Sequence, residues 1–455
     1  MTKTLTQPAA AQTAGEAFTP GPNSKAIFDE EQKYIAPGAQ QIGTFSQIAM
    51  ARGEGAYFID EDGNRYLDLY AGVGVASVGH AHPKYVKILS EQIAKIGVGS
   101  FVTRHRVNFL KTLASVTPGN LKRTQLYSGG AEAVEAAMRL AKSYTKNYEF
   151  FGFWGGFHGK SMGVVGLLGD TFKNDIGPLP PGIHQVPFAY CYRCPFNMTH
   201  PSCGLFCAEY VRRCVKPMST GRVAAFVMEP IQGTNGNVVP PPGYVAAIRD
   251  IAHENNALFI CDEMITGFGR TGKMFGCMHE DVVPDVITVG KGVACGFPVS
   301  AIITREEIAN SKPFANPSGS SSSYGGNPMA AAACDATLQI ILEEKLVENS
   351  RVVGEYMLKE LQKMQEKFRF IGDVRGRGLM IAVELVADRK TKADLPKNVN
   401  RALFDECLKR GIMSMCYSHT IRINPPLVIT KAQAEEGLGK LQEAFTALSK
   451  RFNIN

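Results

Sequence analysis

Residues 257–272 read ALFICDEMITGFGRTG, and residues 286–292 read VITVGKG. Each stretch opens with a largely apolar run of strand length and then changes to polar residues and glycines. Such runs are typical of strands that are buried on both faces of a parallel sheet. Open α/β sheets bind ligands beyond the carboxyl ends of these strands. The two stretches therefore predict a parallel sheet that presents Asp262 and Lys291 at one edge.

Outward from these stretches, β-branched runs alternate with helical periodicity, which indicates an α/β domain. Further strands are predicted at residues 123–127, 222–228 and 299–304, helices at 132–146 and 244–255, and a hairpin around the turn at 62–63. Beyond about residue 328, long helices and two strands indicate a smaller α+β unit. We expect a flexible tail at 1–25, an N-terminal segment of the small domain at 26–79, a large domain at 80–328 and a C-terminal small domain at 329–455.

Four short motifs carry candidate chemistry, and each also has an ordinary structural interpretation. Ser128-Gly129-Gly130-Ala131 leads into a helix whose free N–H groups favour a phosphate, or it is simply a tight turn. Phe157-His158-Gly159 offers a ring to a flat heterocycle, or the phenylalanine covers the core.

The other two motifs are the acid and the amine. Asp262, if buried, requires a cationic partner or several hydrogen-bond donors. A protonated ring nitrogen of a cofactor would be such a partner, and the structural alternatives are a helix cap or an ion pair with Arg270. Lys291 is a nucleophile only if its pKa falls well below about 10.4, and otherwise it is a surface lysine. A phosphate cup, an aromatic lid, an acid and an amine at one sheet edge are the parts that a lysine-bound pyridoxal-5′-phosphate (PLP) site requires.

From about Gly55 to the C-terminus, these motifs in this order resemble the class III aminotransferases of the fold type I PLP superfamily. The resemblance implies a large domain with a mostly parallel sheet flanked by helices, and a smaller α+β domain from both chain ends. It implies that Lys291 holds PLP as a Schiff base and moves the substrate proton. It also implies that Asp262 pairs with the pyridine nitrogen.

The resemblance further implies a set of cofactor contacts and an obligate homodimer, or a tetramer, with active sites at the subunit interface. The implied contacts are Gly130 and Ala131 at the phosphate, Phe157 on one ring face, Met264 on the other, and Ser323 at the phosphate of the neighbouring subunit. His158, next to Phe157, is a further candidate cofactor contact. Glu229 resembles a glutamate near the ring edge, and a structural ion pair is the open alternative.

The implied reaction is a ping-pong exchange in which an amine or an ω- or α-amino acid gives its amino group to a keto acid. Arg422 stands where the family has its carboxylate-binding arginine, whose fork suits a carboxylate, although a surface arginine is the alternative. Trp154 is a candidate for the substrate pocket, or a core residue. Ile265 stands where 4-aminobutyrate-type members have a glutamine, and Thr234 stands where they have a glutamate. Both differences favour pyruvate over 2-oxoglutarate as the keto acid.

Two other functions stay open. A racemase or epimerase on the same scaffold would return the proton to Cα, and the residues named above do not separate this outcome from transamination. A metal- or redox-binding protein would use the cysteine cluster Cys191, Cys194, Cys203 and Cys207, with Cys214 further on. Four thiolates suit zinc or an iron–sulfur cluster, but free thiols that pack a loop are the favoured interpretation.

Composition limits the remaining classes. The net charge of +7 comes without any basic block, so a nucleic-acid partner is not expected. No apolar run of about 20 residues is present, so no membrane span is expected. Eleven cysteines without an export signal predict reduced thiols and a cytoplasmic enzyme.

Overall fold

The computed structural model describes residues 17–169 and 171–454. In these residues the chain forms fifteen strands and thirteen α-helices. The strands are β1 Met50–Glu54, β2 Tyr57–Asp60, β3 Arg65–Asp68, β4 Arg123–Tyr127, β5 Glu149–Phe153, β6 Ile183–Val186, β7 Val223–Met228, β8 Leu258–Asp262, β9 Val286–Val289, β10 Ser300–Thr304, β11 Ile371–Arg377, β12 Met380–Asp388, β13 Ala393–Asp394, β14 Ile412–Met413 and β15 Thr420–Ile423.

The helices range from four to twenty-two residues. They are α1 Pro22–Glu31, α2 Gln41–Ser46, α3 Ala71–Gly74, α4 Pro83–Ile93, α5 Arg104–Val116, α6 Gly130–Thr145, α7 Phe206–Met218, α8 Tyr244–Glu254, α9 Glu306–Ala309, α10 Pro328–Glu343, α11 Leu346–Lys367, α12 Lys397–Lys409 and α13 Lys431–Phe452. No helix of the described residues is both long and apolar enough to cross a membrane.

A seven-stranded sheet in the order β4-β10-β9-β8-β7-β5-β6 forms the centre of the large unit. Strands β9, β8, β7, β5 and β6 pair in parallel, whereas β10 runs antiparallel to both of its neighbours. Every residue of β5 and of β7 to β10 is buried. Helix α6 packs on one face of the sheet and α8 on the other, because alternate side chains of each strand point to opposite faces. The α/β class is confirmed.

The two ends of the chain meet in a second sheet. Strand β14, from the C-terminal part, pairs in parallel with β3, which belongs to the N-terminal hairpin β2–β3. A third sheet contains β11, β12, β13 and β15. The domain boundaries at residues 79 and 328 stay a prediction.

Residues 1–16 of the predicted flexible tail lie outside the described residues, but α1 begins at Pro22, inside that predicted segment. The backbone N–H groups of Asn23 and Ser24 donate to the carboxylate of Asp62 at 2.8 and 2.9 Å. The side chain of a distant turn therefore satisfies N–H groups that a helix start leaves free.

Candidate active site

Four predicted motifs meet at the carboxyl ends of the central strands. The segments that follow β4, β5, β8 and β9 surround a cavity of about 360 Å³. Its lining includes Gly130, Ala131, Phe157, His158, Asp262, Met264 and Lys291. The structure thus brings together seven of the eleven residues that the sequence nominated, and Glu229 lies directly behind them.

Asp262 is the last residue of β8 and is 1% exposed. One carboxylate oxygen, Oδ2, lies 2.6 Å from Nδ1 of His158. The other, Oδ1, accepts the Thr288 hydroxyl at 3.0 Å and the Met264 backbone N–H at 3.1 Å. The neighbour of this carboxylate is therefore an imidazole and not Arg270, which donates to backbone carbonyls of Leu379 and Pro425. Three contacts hold the acid in one orientation.

His158 is the hydrogen-bond partner of the Asp262 carboxylate. Burial lowers the pKa of His158, but the hydrogen bond and the negative charge of Asp262 raise it by more, so the net pKa is raised. The imidazole is therefore stabilised in its protonated form, which donates to the carboxylate of Asp262. The sequence nominated His158 as a cofactor contact, and in the structure its hydrogen-bond partner is Asp262.

Lys291 follows β9, and β9 is the immediate neighbour of β8 in the sheet. Its backbone has φ of +45°, a strained value for a residue with a side chain and a common feature of functional sites. The flanking glycines have no room for a side chain, since a Cβ at Gly290 would lie 2.6 Å from Sδ of Met264 and one at Gly292 would lie 2.4 Å from Oγ of Ser77.

The amine of Lys291 is tuned towards its neutral, nucleophilic form. Burial lowers the pKa of Lys291 most, and the positive charge of Arg422 lowers it further. The negative charges of Asp262 and Glu229 oppose this effect but do not cancel it. A lysine with a lowered pKa carries a larger fraction of free amine at neutral pH.

The start of α6 forms an anion cradle at one end of the cavity. Gly130 is the first residue of the helix, and the N–H groups of a first turn have no partner within the helix. Glu132 accepts the N–H groups of Ser128 and Gly129 at 3.0 and 3.3 Å, which fixes the preceding turn. The buried Ser128 hydroxyl has no hydrogen-bond partner among the described residues and lines the same cavity.

Met264 and Phe157 both line the cavity. The Met264 sulfur packs against Gly130 and Gly290, where a Cβ would lie 3.3 and 2.6 Å away. The ring of Phe157 makes an edge contact with Phe172 at 5.8 Å between centroids.

Glu229 follows β7 and ties two loops of the site together. Its carboxylate accepts the backbone N–H groups of Phe157 and Gly233, both at 2.9 Å. No ion pair of Glu229 within 4.0 Å occurs in residues 17–169 and 171–454, so its partners are backbone groups. Burial raises the pKa of Glu229, and the charge of Asp262 adds to this effect, while the charge of His158 opposes it.

A second cavity of about 420 Å³ lies beside the first and contains Arg422 and Trp154 in its wall. Arg422 donates only a long hydrogen bond, 3.4 Å, to the carbonyl of Gly233, and in the described parts of the chain no carboxylate pairs with it. Arg193 lines the same cavity, but Glu384 and Asp394 already neutralise it. Arg422 is therefore the cation on this wall that can receive an external carboxylate.

Ser323 stands apart from the other nominated residues. It is exposed and lines neither cavity of this chain. Thr234 lines the second cavity, and Ile265 packs behind it, where a Cβ at Gly233 would lie 2.3 Å from Cδ1 of Ile265.

The model of the family described as "Aminotransferase class-III" matches residues 38–445. The chain belongs to the class III aminotransferases. Among similar curated proteins, a leucine/methionine racemase of Thermococcus litoralis is 34% identical over 91% of this chain and 94% of its own length. A 4-aminobutyrate aminotransferase of Mycobacterium leprae is 34% identical over 92% and 95%. The mitochondrial alanine–glyoxylate aminotransferase 2 of Homo sapiens is 33% identical over 89% and 83%.

A solved amine transaminase from an uncultivated Pseudomonas species, in a PLP-bound internal aldimine form, has a TM-score of 0.85 and 28% identity and covers 91% of this chain and 98% of its own. The aminotransferase has the fold type I architecture that the resemblance implied, and it is an enzyme of the transaminase type that uses PLP. The residues present fit this cofactor, since the cavity joins an unpaired Ser128 hydroxyl and a helix start to a buried acid and a lysine.

Several residues of the site were missed by the sequence analysis. Thr288 carries no motif, and its contact with Asp262 follows from the register of β8 and β9, which pairs the two residues. Ser128 is part of a quoted motif but was not nominated. Tyr190 and Arg193, on the wall of the second cavity, have no recognisable signal because long-range pairing places them there.

Proposed function

We propose that this aminotransferase moves an amino group from an amine or an ω- or α-amino acid to a keto acid in a ping-pong exchange, with pyruvate favoured over 2-oxoglutarate. The observation that carries the proposal is the buried acid and the pKa-lowered lysine on neighbouring strands, with an unpaired arginine in the adjoining cavity. These three groups match the needs of amine binding, proton transfer and carboxylate recognition.

Asp262 would lie at the pyridine nitrogen of the cofactor and Lys291 at its aldehyde carbon. When bound, PLP withdraws electrons from the substrate Cα and so makes its proton acidic. Lys291 would remove that proton from Cα and deliver it to the C4′ carbon of the cofactor. Its lowered pKa leaves a free amine to act as the base. His158 would hold the Asp262 carboxylate in place, since its Nδ1 contacts the carboxylate at 2.6 Å.

The start of α6 would bind the cofactor phosphate through Gly130, Ala131 and the free hydroxyl of Ser128. Phe157 would cover one ring face and Met264 the other. We propose that Glu229 acts near the ring edge by holding Phe157 and Gly233 in place, because both of its oxygens accept backbone N–H groups from these residues.

Arg422 would bind the carboxylate of the keto acid through its bidentate fork. Thr234 has no carboxylate with which to draw the guanidinium away, so the arginine stays available in both half-reactions. That constancy suits an alanine–pyruvate couple, in which both partners carry a single carboxylate. The relative named for alanine supports this choice. Trp154, half-exposed on the same wall, would contact the substrate.

We propose a homodimer in which Ser323 reaches the phosphate of the partner's cofactor. Two observations support it: Ser323 lines neither of the two cavities described above, and large apolar side chains are exposed, with Phe101 at 72% and Tyr324, next to Ser323, at 66%. Exposed apolar surface of this kind is typical of a subunit interface. A cytoplasmic location is proposed because all eleven cysteines are free.

A racemase is the second candidate, and the Thermococcus litoralis relative favours it. Three assays separate the two activities. The enzyme receives L-alanine and glyoxylate in the first, an amine and pyruvate in the second, and the same amine and 2-oxoglutarate in the third. We expect amino-group transfer, and we expect alanine to form from pyruvate faster than glutamate forms from 2-oxoglutarate. Formation of D-alanine without any transfer would overturn it.

A further inference from the structure

We propose that Cys191, Cys194, Cys203 and Cys207 bind a thiophilic divalent cation, Zn²⁺, in a structural site outside the catalytic cavity. These four cysteines line one small, partly open cavity of about 20 Å³. That space suits one ion and is too small for an organic ligand. The fifth cysteine of the cluster, Cys214, does not line it.

The local backbone presents the four thiols in two pairs. The carbonyl of Cys194 accepts the N–H of Asn197 at 3.1 Å, and the carbonyl of Cys203 accepts the N–H of Phe206 at 3.1 Å, so each pair adjoins a tight turn. Cys191 and Cys194 are three residues apart, as in zinc knuckles. Cys207 is the second residue of α7, so the second pair spans the start of this helix.

The surroundings of the cavity suit a metal–thiolate centre. Nδ1 of His200 is buried without a hydrogen-bond partner in the described residues, and His200 lines the same cavity. Metal-bound thiolates would accept its N–H. Phe196 packs against the rings of Phe206 and Tyr210, with centroids 5.1 and 4.9 Å apart, and these rings shield one side.

Metal binding requires the sulfur atoms to move together. Among the described residues, only Cys261, Glu263 and Cys277 have their ligand atoms gathered within 4.8 Å of one another. That carboxylate is already saturated, because it accepts the Thr266 hydroxyl and the N–H groups of Gly276 and Cys277.

All four cysteines are free thiols, and Cys191, Cys194 and Cys203 lie before α7 whereas Cys207 lies in it. Rotation of these side chains would have to bring the four sulfur atoms together around the ion. Each thiol loses its proton to solvent as its sulfur bonds to the ion, and no electron is transferred.

The site would anchor one wall of the second cavity. Arg193 lies between the first two cysteines, and its guanidinium pairs with Glu384 and Asp394 on the neighbouring sheet. The ion would hold Cys191 and Cys194 while the ion pairs hold Arg193 between them. Tyr190, next to Cys191, lines both cavities of this region.

The test is the zinc content of the full-length, PLP-loaded protein, purified after growth with added zinc and passed over a chelating resin. The wild type and the matched control Cys214→Ser should retain about one zinc per chain, and Cys191→Ser/Cys194→Ser should retain less than about a tenth of that. Cys277→Ser should retain the metal, which separates this cavity from the buried group around Glu263.

A wild type free of zinc, or a double variant that still holds it, would overturn the proposal. Should the double variant fail to fold, Cys191→Ser alone decides, because Cys191 is exposed and its replacement leaves the core intact. In that case Co²⁺ added to the wild type should show the visible absorption of a tetrahedral thiolate complex, and the same addition to Cys191→Ser should not. Identical spectra from the two proteins would count against the site.

Discussion

Arg422 and Arg193 line the same cavity, yet only Arg422 is predicted to bind the keto acid. We consider Arg422→Gln, which removes the charge but keeps a polar side chain of similar reach. Arg422 has no carboxylate partner in the described chain, so its fork is available, whereas Glu384 and Asp394 occupy that of Arg193. The substitution should therefore affect one substrate and not the other.

The expected loss in kcat/KM follows from the hydrogen bonds between Arg422 and the keto acid that the substitution would remove. A hydrogen bond to a charged group contributes about 1.5–3 kcal/mol, so kcat/KM for pyruvate should fall by about 10- to 150-fold. An amine donor without a carboxylate should lose much less. In a ping-pong exchange each kcat/KM reports its own half-reaction, so steady-state kinetics with each substrate varied in turn measure the two effects separately. The matched control, Arg193→Gln, should change kcat/KM for pyruvate far less than Arg422→Gln.

The same variant has a second readout. Burial is the main cause of the lowered pKa of Lys291, and Arg422 contributes its positive charge. Without that charge the pKa of Lys291 should rise, and the pH at which the apoenzyme recombines half-maximally with PLP should rise with it. Equal losses for pyruvate and amine, or a larger loss in the Arg193 control, would refute the assignment of Arg422 to the acceptor carboxylate.

Three further predictions concern the acid, the amine and the stability of the fold. Lys291→Ala should abolish turnover and the absorbance of the lysine-bound cofactor, as followed by spectrophotometry; normal turnover would remove Lys291 from its role. Asp262→Asn should retain cofactor by absorbance but lose most of its kcat, because a neutral amide does not stabilise a protonated ring nitrogen; an unchanged kcat would contradict this. Burial and the charge of Arg377 lower the pKa of His279 to about 4, so the unfolded chain takes up a proton that the folded chain does not. The free energy of unfolding should fall as the pH drops from about 6.5 towards 4, and His279→Gln should flatten this dependence in urea titrations; an identical slope in both proteins would be the contrary result.

The central strands and the two principal residues could be predicted because their signals are local. Lys291 and Asp262 each follow a buried apolar run, and such a run fixes both the strand and the edge at which the next residue appears. The glycines on either side of Lys291 are also a local sequence signal. The reason for them, the close approach of Met264 and Ser77, became visible only in the structure.

The partners of these residues could not be predicted in the same way. His158 contacts Asp262 across 104 residues of sequence, and the contact depends on the position of β5, a fully buried strand whose sequence EFFGF has no alternating pattern. Whether Arg193 or Arg422 is free depends on Glu384, which lies in β12, far along the chain. Pairings of this kind follow from sheet order and packing, which local propensity does not encode.

The most direct test of transamination is a half-reaction without any keto acid. The PLP-loaded protein is mixed with single donors, namely alanine, 4-aminobutyrate, β-alanine, taurine, putrescine and simple amines, and the cofactor spectrum and the products are followed. We expect at least one donor to change the spectrum and to release its carbonyl product in an amount equal to the enzyme present, because the amino group stays on the enzyme. No carbonyl product from any donor, together with loss of optical activity in an L-amino acid, would contradict it and identify a racemase.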